Sequence, residues 1–214
     1  NLFTRLPLVK ESYVDFTNEL IMRKGLVIME NNQKEFIKAK NPQVKINSCN
    51  RVPIYFENIK TLKDSSNSGN FMYMGRLVDF KIGPLFGIIK DMSKDSRLSK
   101  RKLYVVGDGP LRIKLEQYAK LFKIKLIILG MMDIKKILSV IKTNNIQIAF
   151  AMGTSILECL SLGVKVIGVN ISYIHDGSVT YIEPNYFPES LGEYNVIKPK
   201  KELFEIINNY NINL

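Results

Sequence analysis

From residue 71 onward the chain alternates short apolar runs with stretches in which apolar residues return every three or four positions. The runs Phe71–Met74, Leu103–Val106, Lys125–Leu129, Gln147–Ala151 and Val164–Val169 predict strands, each closed by turn residues. The periodic stretches Ile82–Met92, Leu111–Leu121, Ile134–Lys142 and Ser155–Leu162 predict helices. Strands separated by single helices must pair in parallel, because a parallel neighbour is reached only through a crossover, and crossovers are right-handed. The expected fold is α/β, a Rossmann-like doubly wound parallel sheet with helices on both faces.

Upstream the pattern is less regular. Gly25–Met29 reads as a buried strand, Asn32–Ala39 as a short helix, and Val44–Ile46 and Ile54–Phe56 as extended. The stretch from Lys63 to Gly69 has no apolar residue and ends in glycine, the composition of a linker. A boundary near residue 60 follows, with residues 61–214 as the Rossmann-like domain. Residues 1–60 are too few for a second α/β domain and read as the tail of one. The chain begins at Asn1, without the charged, apolar and small-residue succession of a signal peptide, and is expected to be part of a longer protein.

Composition narrows the class. With 46% hydrophobic and 24% charged residues in 214, disorder and fibrous repeats are excluded. The longest apolar stretch, Leu126–Met132, is far short of the roughly 20 residues of a membrane-spanning helix. Cys49 and Cys159 are the only cysteines, which suits reduced thiols in a reducing, cytoplasmic setting. The single histidine, His175, has no cysteine or carboxylate at ligand spacing, so no metal and no cofactor are expected.

The net charge of +11 is uneven, since residues 80–125 hold 12 basic and 4 acidic side chains. Such a field fits an anionic membrane, a phosphorylated ligand, a nucleic acid, or a solvated face in a lysine-rich protein. Nucleic acid ranks last, because the aromatic and glycine signatures of common RNA modules are absent from the sequence.

Candidate chemistry gathers at three glycine-containing strand exits. After Met74 come Gly75 and two cations, Arg76 and Lys81, on a loop entering a helix, where free amides and a positive dipole end suit phosphate. Val105-Val-Gly-Asp-Gly-Pro110 is a tight strand-to-helix turn with Gly107 at the strand end and Asp108 as a possible helix cap. In Phe150-Ala-Met-Gly-Thr-Ser-Ile-Leu-Glu158, Gly153, Thr154 and Ser155 open a helix and Glu158 follows one turn later. Glu158 can accept from two vicinal hydroxyls of a ribose, or it can complete a capping box with Ser155. In a doubly wound sheet all three exits lie on the carboxyl edge, where ligands bind.

The succession from Met74 to Lys81, then Val105 to Pro110, Leu129-Gly130, Gly153 to Glu158 and Leu162 to Ile167 resembles the carboxy-terminal, nucleotide-sugar-binding domain of GT-B glycosyltransferases. The resemblance implies that Arg76 and Lys81 hold the donor diphosphate and contribute to catalysis. It implies further that Gly75 and Gly107 shape the donor site, that Gly130 and Met131 meet the base, that Gly153, Thr154 and Ser155 face phosphate or sugar, and that Glu158 takes the ribose. The implied activity is transfer of a sugar from a nucleoside diphosphate sugar, UDP first among them, to a glycan or lipid-linked acceptor in polysaccharide biosynthesis. Its setting would be cytoplasmic, with peripheral contact at the inner face of an anionic membrane. The family often places a first Glu eight positions before the second, and that position here is Phe150. A nucleotide-sugar epimerase of the same fold and a non-catalytic nucleotide-sugar-binding subunit are the competing readings.

Overall fold

The computed structural model describes residues 69–173, 175–183 and 202–209, with scattered positions between 15 and 51. The chain divides into two compact units, residues 1–55 with 188–190 and residues 56–187 with 191–214. In the first, β1 (Val27–Ile28) and β2 (Asn50–Arg51) pair in parallel. β1 falls inside the expected run Gly25–Met29, and β2 is an addition. Of the expected helix Asn32–Ala39, only Lys38 and Ala39 are described, and they are helical. Val44–Ile46, Ile54–Phe56, Cys49, residues 63–68 and the boundary near residue 60 lie outside the described residues.

The second unit carries β3 (Asn70–Met74), α1 (Asp79–Lys94), α2 (Ser96–Ser99), β4 (Leu103–Val106), α3 (Arg112–Leu121), β5 (Leu126–Gly130) and α4 (Ile134–Thr143). It continues with β6 (Ile146–Ala151), α5 (Thr154–Ser161), β7 (Lys165–Val169), β8 (Tyr181–Ile182) and α6 (Leu203–Asn208). The strands form one six-stranded sheet in the order β5-β4-β3-β6-β7-β8, parallel except for β8 against β7. The chain enters at the centre, winds outward through β4 and β5, then crosses back to β6 and winds the other way. This is the doubly wound parallel sheet read from the alternation of runs.

Alternation along the strands sorts the core into two layers. Phe71, Tyr73, Leu103, Val105, Ile148 and Phe150 face one side, under Ile82, Phe86 and Ile89 of α1 and Leu115 of α3. Met72, Met74, Tyr104, Val106, Ala149 and Ala151 face the other, under Ile137 and Ile141 of α4 and Ile156 and Cys159 of α5. Among the described residues, no helix is long and apolar enough to cross a membrane.

α1 starts a turn earlier than expected from the sequence and contains Pro84. Proline has no N–H to give the carbonyl four residues back. That carbonyl, of Phe80, instead accepts from the Ser172 amide at 3.0 Å, tying the first turn of α1 to the loop after β7. One residue on, the Lys81 carbonyl accepts from the buried Tyr73 hydroxyl of β3 at 2.8 Å. The helix start that a proline weakens is thus held from two sides.

The amino edge of the sheet is closed by asparagines. Asn70 donates through Nδ2 to the Asn144 carbonyl at 2.8 Å and accepts from the Lys102 amide at 2.9 Å. The Asn144 Oδ1 accepts from the Tyr104 hydroxyl at 2.8 Å.

Candidate functional site

β3 and β6 are neighbours from which the chain departs in opposite directions, which leaves a crevice outside their carboxyl ends. The exits of β3, β4 and β5 are stitched together there by backbone. The Gly75 amide donates to the Val106 carbonyl at 3.0 Å, Leu77 to Asp108 at 3.0 Å, and Gly107 to Gly130 at 2.8 Å. Gly107 has φ +146°, and a Cβ on it would lie 2.0 Å from the Gly75 carbonyl oxygen. Glycine at 107 is therefore required by loop-to-loop contact. Asp108 accepts from the next amide, Gly109, at 2.8 Å and pairs with Arg112, while α3 opens at Leu111 without a side-chain cap.

The crevice is a cleft of about 430 Å³. That is within the range of small-molecule sites, roughly 300–1,000 Å³. Seven of the residues singled out from the sequence line it: Gly75, Arg76 and Lys81 from the first exit, Gly107 from the second, Met131 beyond β5, and Ser155 and Glu158 from α5. Gly130, Gly153 and Thr154 do not line it. Gly130 ends β5 against Gly107, and Gly153 precedes α5 with φ 61°, a backbone that glycine adopts without strain.

Sequence reasoning missed an apolar wall. Met74, Val106, Met132, Ile134 and Ile137 complete the lining. Ile134 and Ile137 show helical periodicity and so read as core, yet Ile134 is 41% exposed and Met131 75%. Exposure in the folded chain is what sets them apart, and no local sequence signal marks it.

Opposite that wall the electrostatics are mixed in sign. Burial raises the pKa of the half-buried Glu158 carboxyl, and the Lys81 ammonium works against that rise. α5 has Gly153 at its cap position and no side-chain cap hydrogen bond, so the Ser155–Glu158 capping box is not formed. Under the cleft, burial and the Glu158 charge push the Cys159 thiol up, and it contacts the Met74 sulfur at 3.7 Å. Burial also raises Tyr73, which keeps its hydroxyl protonated as the donor that fixes Lys81's backbone. Two cations, a helix start with unshared amides, a carboxylate and an apolar wall can together accept an anion, a diol and a flat ring.

Two other residues fall away from this cleft. Phe150 packs edge-on against Phe71 with centroids 5.6 Å apart and lies in the core, fully buried. His175 sits across the start of α1, its Nε2 3.0 Å from the Asp79 carbonyl and its Nδ1 3.2 Å from the Lys114 ammonium.

No protein-family model matches the sequence, and no curated protein matches it either. Solved structures do match in fold. A mutant of TarM from S. aureus, solved with fondaparinux, α-GlcNAc-glycerol and UDP, superposes with a TM-score of 0.58 at 15% identity, over 94% of this chain and 40% of its own. The pneumococcal O-GlcNAc transferase GtfA, solved with UDP and GlcNAc, gives 0.51 at 16% identity, over 94% of this chain and 39% of its own. The lipopolysaccharide outer core galactosyltransferase WaaB gives 0.51 at 17%, over 66% and 42%. The chain thus spans about two fifths of the length of these proteins. Its fold is that of GT-B glycosyltransferases, as the motif succession from Met74 to Ile167 implies.

Proposed function

We propose that the chain is the donor-binding part of a glycosyltransferase that moves a sugar from a nucleoside diphosphate sugar, UDP first among them, to a glycan or lipid-linked acceptor. Residues 61–214 would form the donor domain and residues 1–60 the end of an acceptor domain with its connection. The observation that carries this reading is the convergence of Arg76, Lys81, Ser155 and Glu158 on one cleft at the point where the sheet reverses its winding. Arg76 and Lys81 are assigned to the diphosphate. The first amides of α5, at Thr154 and Ser155 after Gly153, are assigned to phosphate or sugar. Glu158 takes the ribose diol, and the turn at Gly130 and Met131, with Met132 and Ile134, takes the base.

Bond breaking at the sugar carbon places negative charge on the departing diphosphate. A guanidinium and an ammonium at that position stabilise the charge as it develops, which is the part of catalysis this cleft is equipped to perform. The acting compartment under this reading is the cytoplasm.

Phe150 supports a second reading. The position that carries a carboxylate in many relatives is filled here by a buried ring in the core, which suits a nucleotide-sugar-binding subunit without transfer activity. Calorimetric titration of the chain with UDP, UDP-sugars and other nucleoside diphosphates tests both. Saturable binding of a diphosphate and weak binding of the nucleoside are expected. No heat with any nucleotide would overturn the two readings together, and sugar release from the bound donor would favour the first.

A further inference from the structure

The first turn of α1 brings Lys81 to the cleft, and little within the helix fixes it there. Val78 supplies no side-chain cap, and Pro84 removes one of the backbone donors that would close the turn. Three successive carbonyls of that turn each receive a donor from outside the helix. Lys81 accepts from the Tyr73 hydroxyl at 2.8 Å, Phe80 from the Ser172 amide at 3.0 Å, and Asp79 from the imidazole of His175, whose Nε2 lies 3.0 Å away. Two of these donors, Ser172 and His175, belong to the connection from β7 to β8. That connection lies close on the helices beside it: a Cβ on Gly87 of α1 would come 2.5 Å from the Val179 side chain, and one on Gly177 2.6 Å from the Tyr118 hydroxyl of α3. His175 itself packs edge-on against Phe86, with centroids 5.5 Å apart.

The neighbours of His175 fix its tautomer. Nε2 faces a carbonyl oxygen, which can only accept, so that nitrogen carries the proton. Nδ1 is then bare and accepts from the Lys114 ammonium of α3 at 3.2 Å, a group that can only donate. The neutral imidazole satisfies both neighbours, whereas an imidazolium would leave Lys114 without its acceptor and set two positive charges side by side. The other charged or titratable groups about the ring are Asp79 and Lys90 of α1, Tyr118 of α3 and Asp176 of the connection. Lys90 donates to the Asp176 carbonyl at 3.3 Å, and the Asp176 carboxylate is turned on the Ser178 amide at 2.8 Å. We infer that His175 is a positioning residue for donor binding: in its neutral form it latches the β7–β8 connection onto the first turn of α1 and so seats Lys81 in the cleft. Protonation in mild acid releases the latch, and affinity for the donor's diphosphate falls. The inference rests on the donor-site reading, because Lys81 is where its effect is felt.

The test is calorimetric titration of the chain and of its His175→Gln and His175→Ala variants with UDP-glucose, near pH 8 and near pH 5.5, on either side of the range in which an imidazole titrates. The diphosphate of UDP-glucose is esterified at both ends and keeps one charge across that range, which the terminal phosphate of UDP does not. Gln offers an N–H donor and an oxygen acceptor and does not titrate. The parent should bind about fivefold more weakly at the lower pH, the size of one hydrogen bond's contribution. His175→Gln should stay within about twofold of the parent at the higher pH and lose that drop, and His175→Ala should be about fivefold weaker at both. Titration of Glu158 is common to the three proteins and cancels in the comparison. The same pH profile for the parent and the Gln variant, or an Ala variant that matches the parent near pH 8, would overturn the inference. So would a loss of affinity that only follows melting of the chain at the lower pH. A parent that binds at neither pH would overturn the donor-site reading and this inference with it.

Discussion

The two edges of the sheet are built from the same elements and differ in electrostatic character. On the carboxyl edge, cations alternate with carboxylates: Arg112 lies 3.5 Å from Asp108 and 3.2 Å from Glu116, Lys136 lies 3.1 Å from Asp133, and Lys81 faces Glu158. On the amino edge, Lys100, Arg101, Lys102, Lys120, Lys123 and Lys125 stand without ion pairs among the described residues. Mixed sign in a cleft selects a ligand with its own pattern of charge and hydroxyls. An excess of one sign attracts anions of any pattern and is screened by salt. One sequence segment, residues 80–125, feeds both edges, so its charge count alone cannot tell them apart.

The largest expected effect strikes the carboxyl edge alone. Gly107→Val puts a branched side chain where a Cβ already lies 2.0 Å from the Gly75 carbonyl oxygen, at a φ of +146°. A destabilisation of about 3–5 kcal/mol is expected in urea unfolding, from overpacking added to backbone strain. A loss below about 1 kcal/mol would show that the loops move apart freely, and the stitched exits would no longer explain how the cleft is held.

Next is Arg76→Ala. If Arg76 holds the diphosphate, binding of UDP falls about tenfold or more, the size of a charge-assisted hydrogen bond of about 1.5–3 kcal/mol, while uridine is unaffected. Calorimetry with both ligands decides, and an equal loss for both would move Arg76 away from the phosphates. Arg76 is exposed, so its fold-stability effect should be slight.

Asn144→Ala is the matching probe of the amino edge. It removes the acceptor of the Tyr104 hydroxyl and the bond from its own Nδ2 to the Val140 carbonyl at 2.9 Å. Leaving the 4%-exposed Tyr104 with an unanswered hydroxyl should cost about 1–2 kcal/mol of stability, measured by chemical unfolding. UDP affinity should hold. A drop in affinity without a drop in stability would mean that the two edges are coupled through the sheet.

How far this contrast can be read from the sequence differs by level. The strand Leu103–Val106 is legible to the residue, because four apolar positions sit between Lys102 and Gly107 and β4 is buried on both faces. The start of α1 is not, because the apolar periodicity begins only at Ile82, whereas the Phe80 carbonyl that Pro84 cannot serve takes its donor from Ser172, 92 residues on. α2, β8 and α6 are short, and Tyr181–Ile182 becomes a strand only by pairing with Gly168 and Val169. At the site, Arg76, Lys81, Ser155 and Glu158 are legible because glycine-marked strand exits converge in any doubly wound sheet. Met132 and Ile134 are not, since nothing local separates an apolar residue that lines a cleft from one that lies in a core. The amino-edge cations are half legible: Lys100–Lys102 and Lys120–Lys125 are two basic clusters in the sequence, but the parallel pairing of β4 with β5 is what brings the two together.

The smallest effect is expected from Glu158→Gln, and it tests the carboxyl edge by chemistry. If Glu158 accepts from the ribose diol, the variant should bind UDP about fivefold more weakly, because Gln offers one acceptor oxygen and no charge, and 2′-deoxy-UDP should be affected less. The preference for the ribose form then shrinks, which parallel titrations of the two nucleotides on both proteins would show. Stability should move the other way. Burial raises the carboxyl's pKa, so the folded state binds its proton more tightly than the unfolded chain does, and the charged form opposes folding. The stability contributed by that proton is complete in acid and is lost as pH rises through the folded-state pKa. Gln carries no such proton, so Glu158→Gln should match the parent near pH 3 and melt slightly higher near pH 7. The gain stays small because the group is partly solvated and Lys81 offsets part of its cost. A variant that melts lower at pH 7 would show that the Lys81–Glu158 attraction outweighs desolvation. A fully kept ribose preference would remove Glu158 from the ligand and leave the mixed-sign cleft without its hydroxyl acceptor.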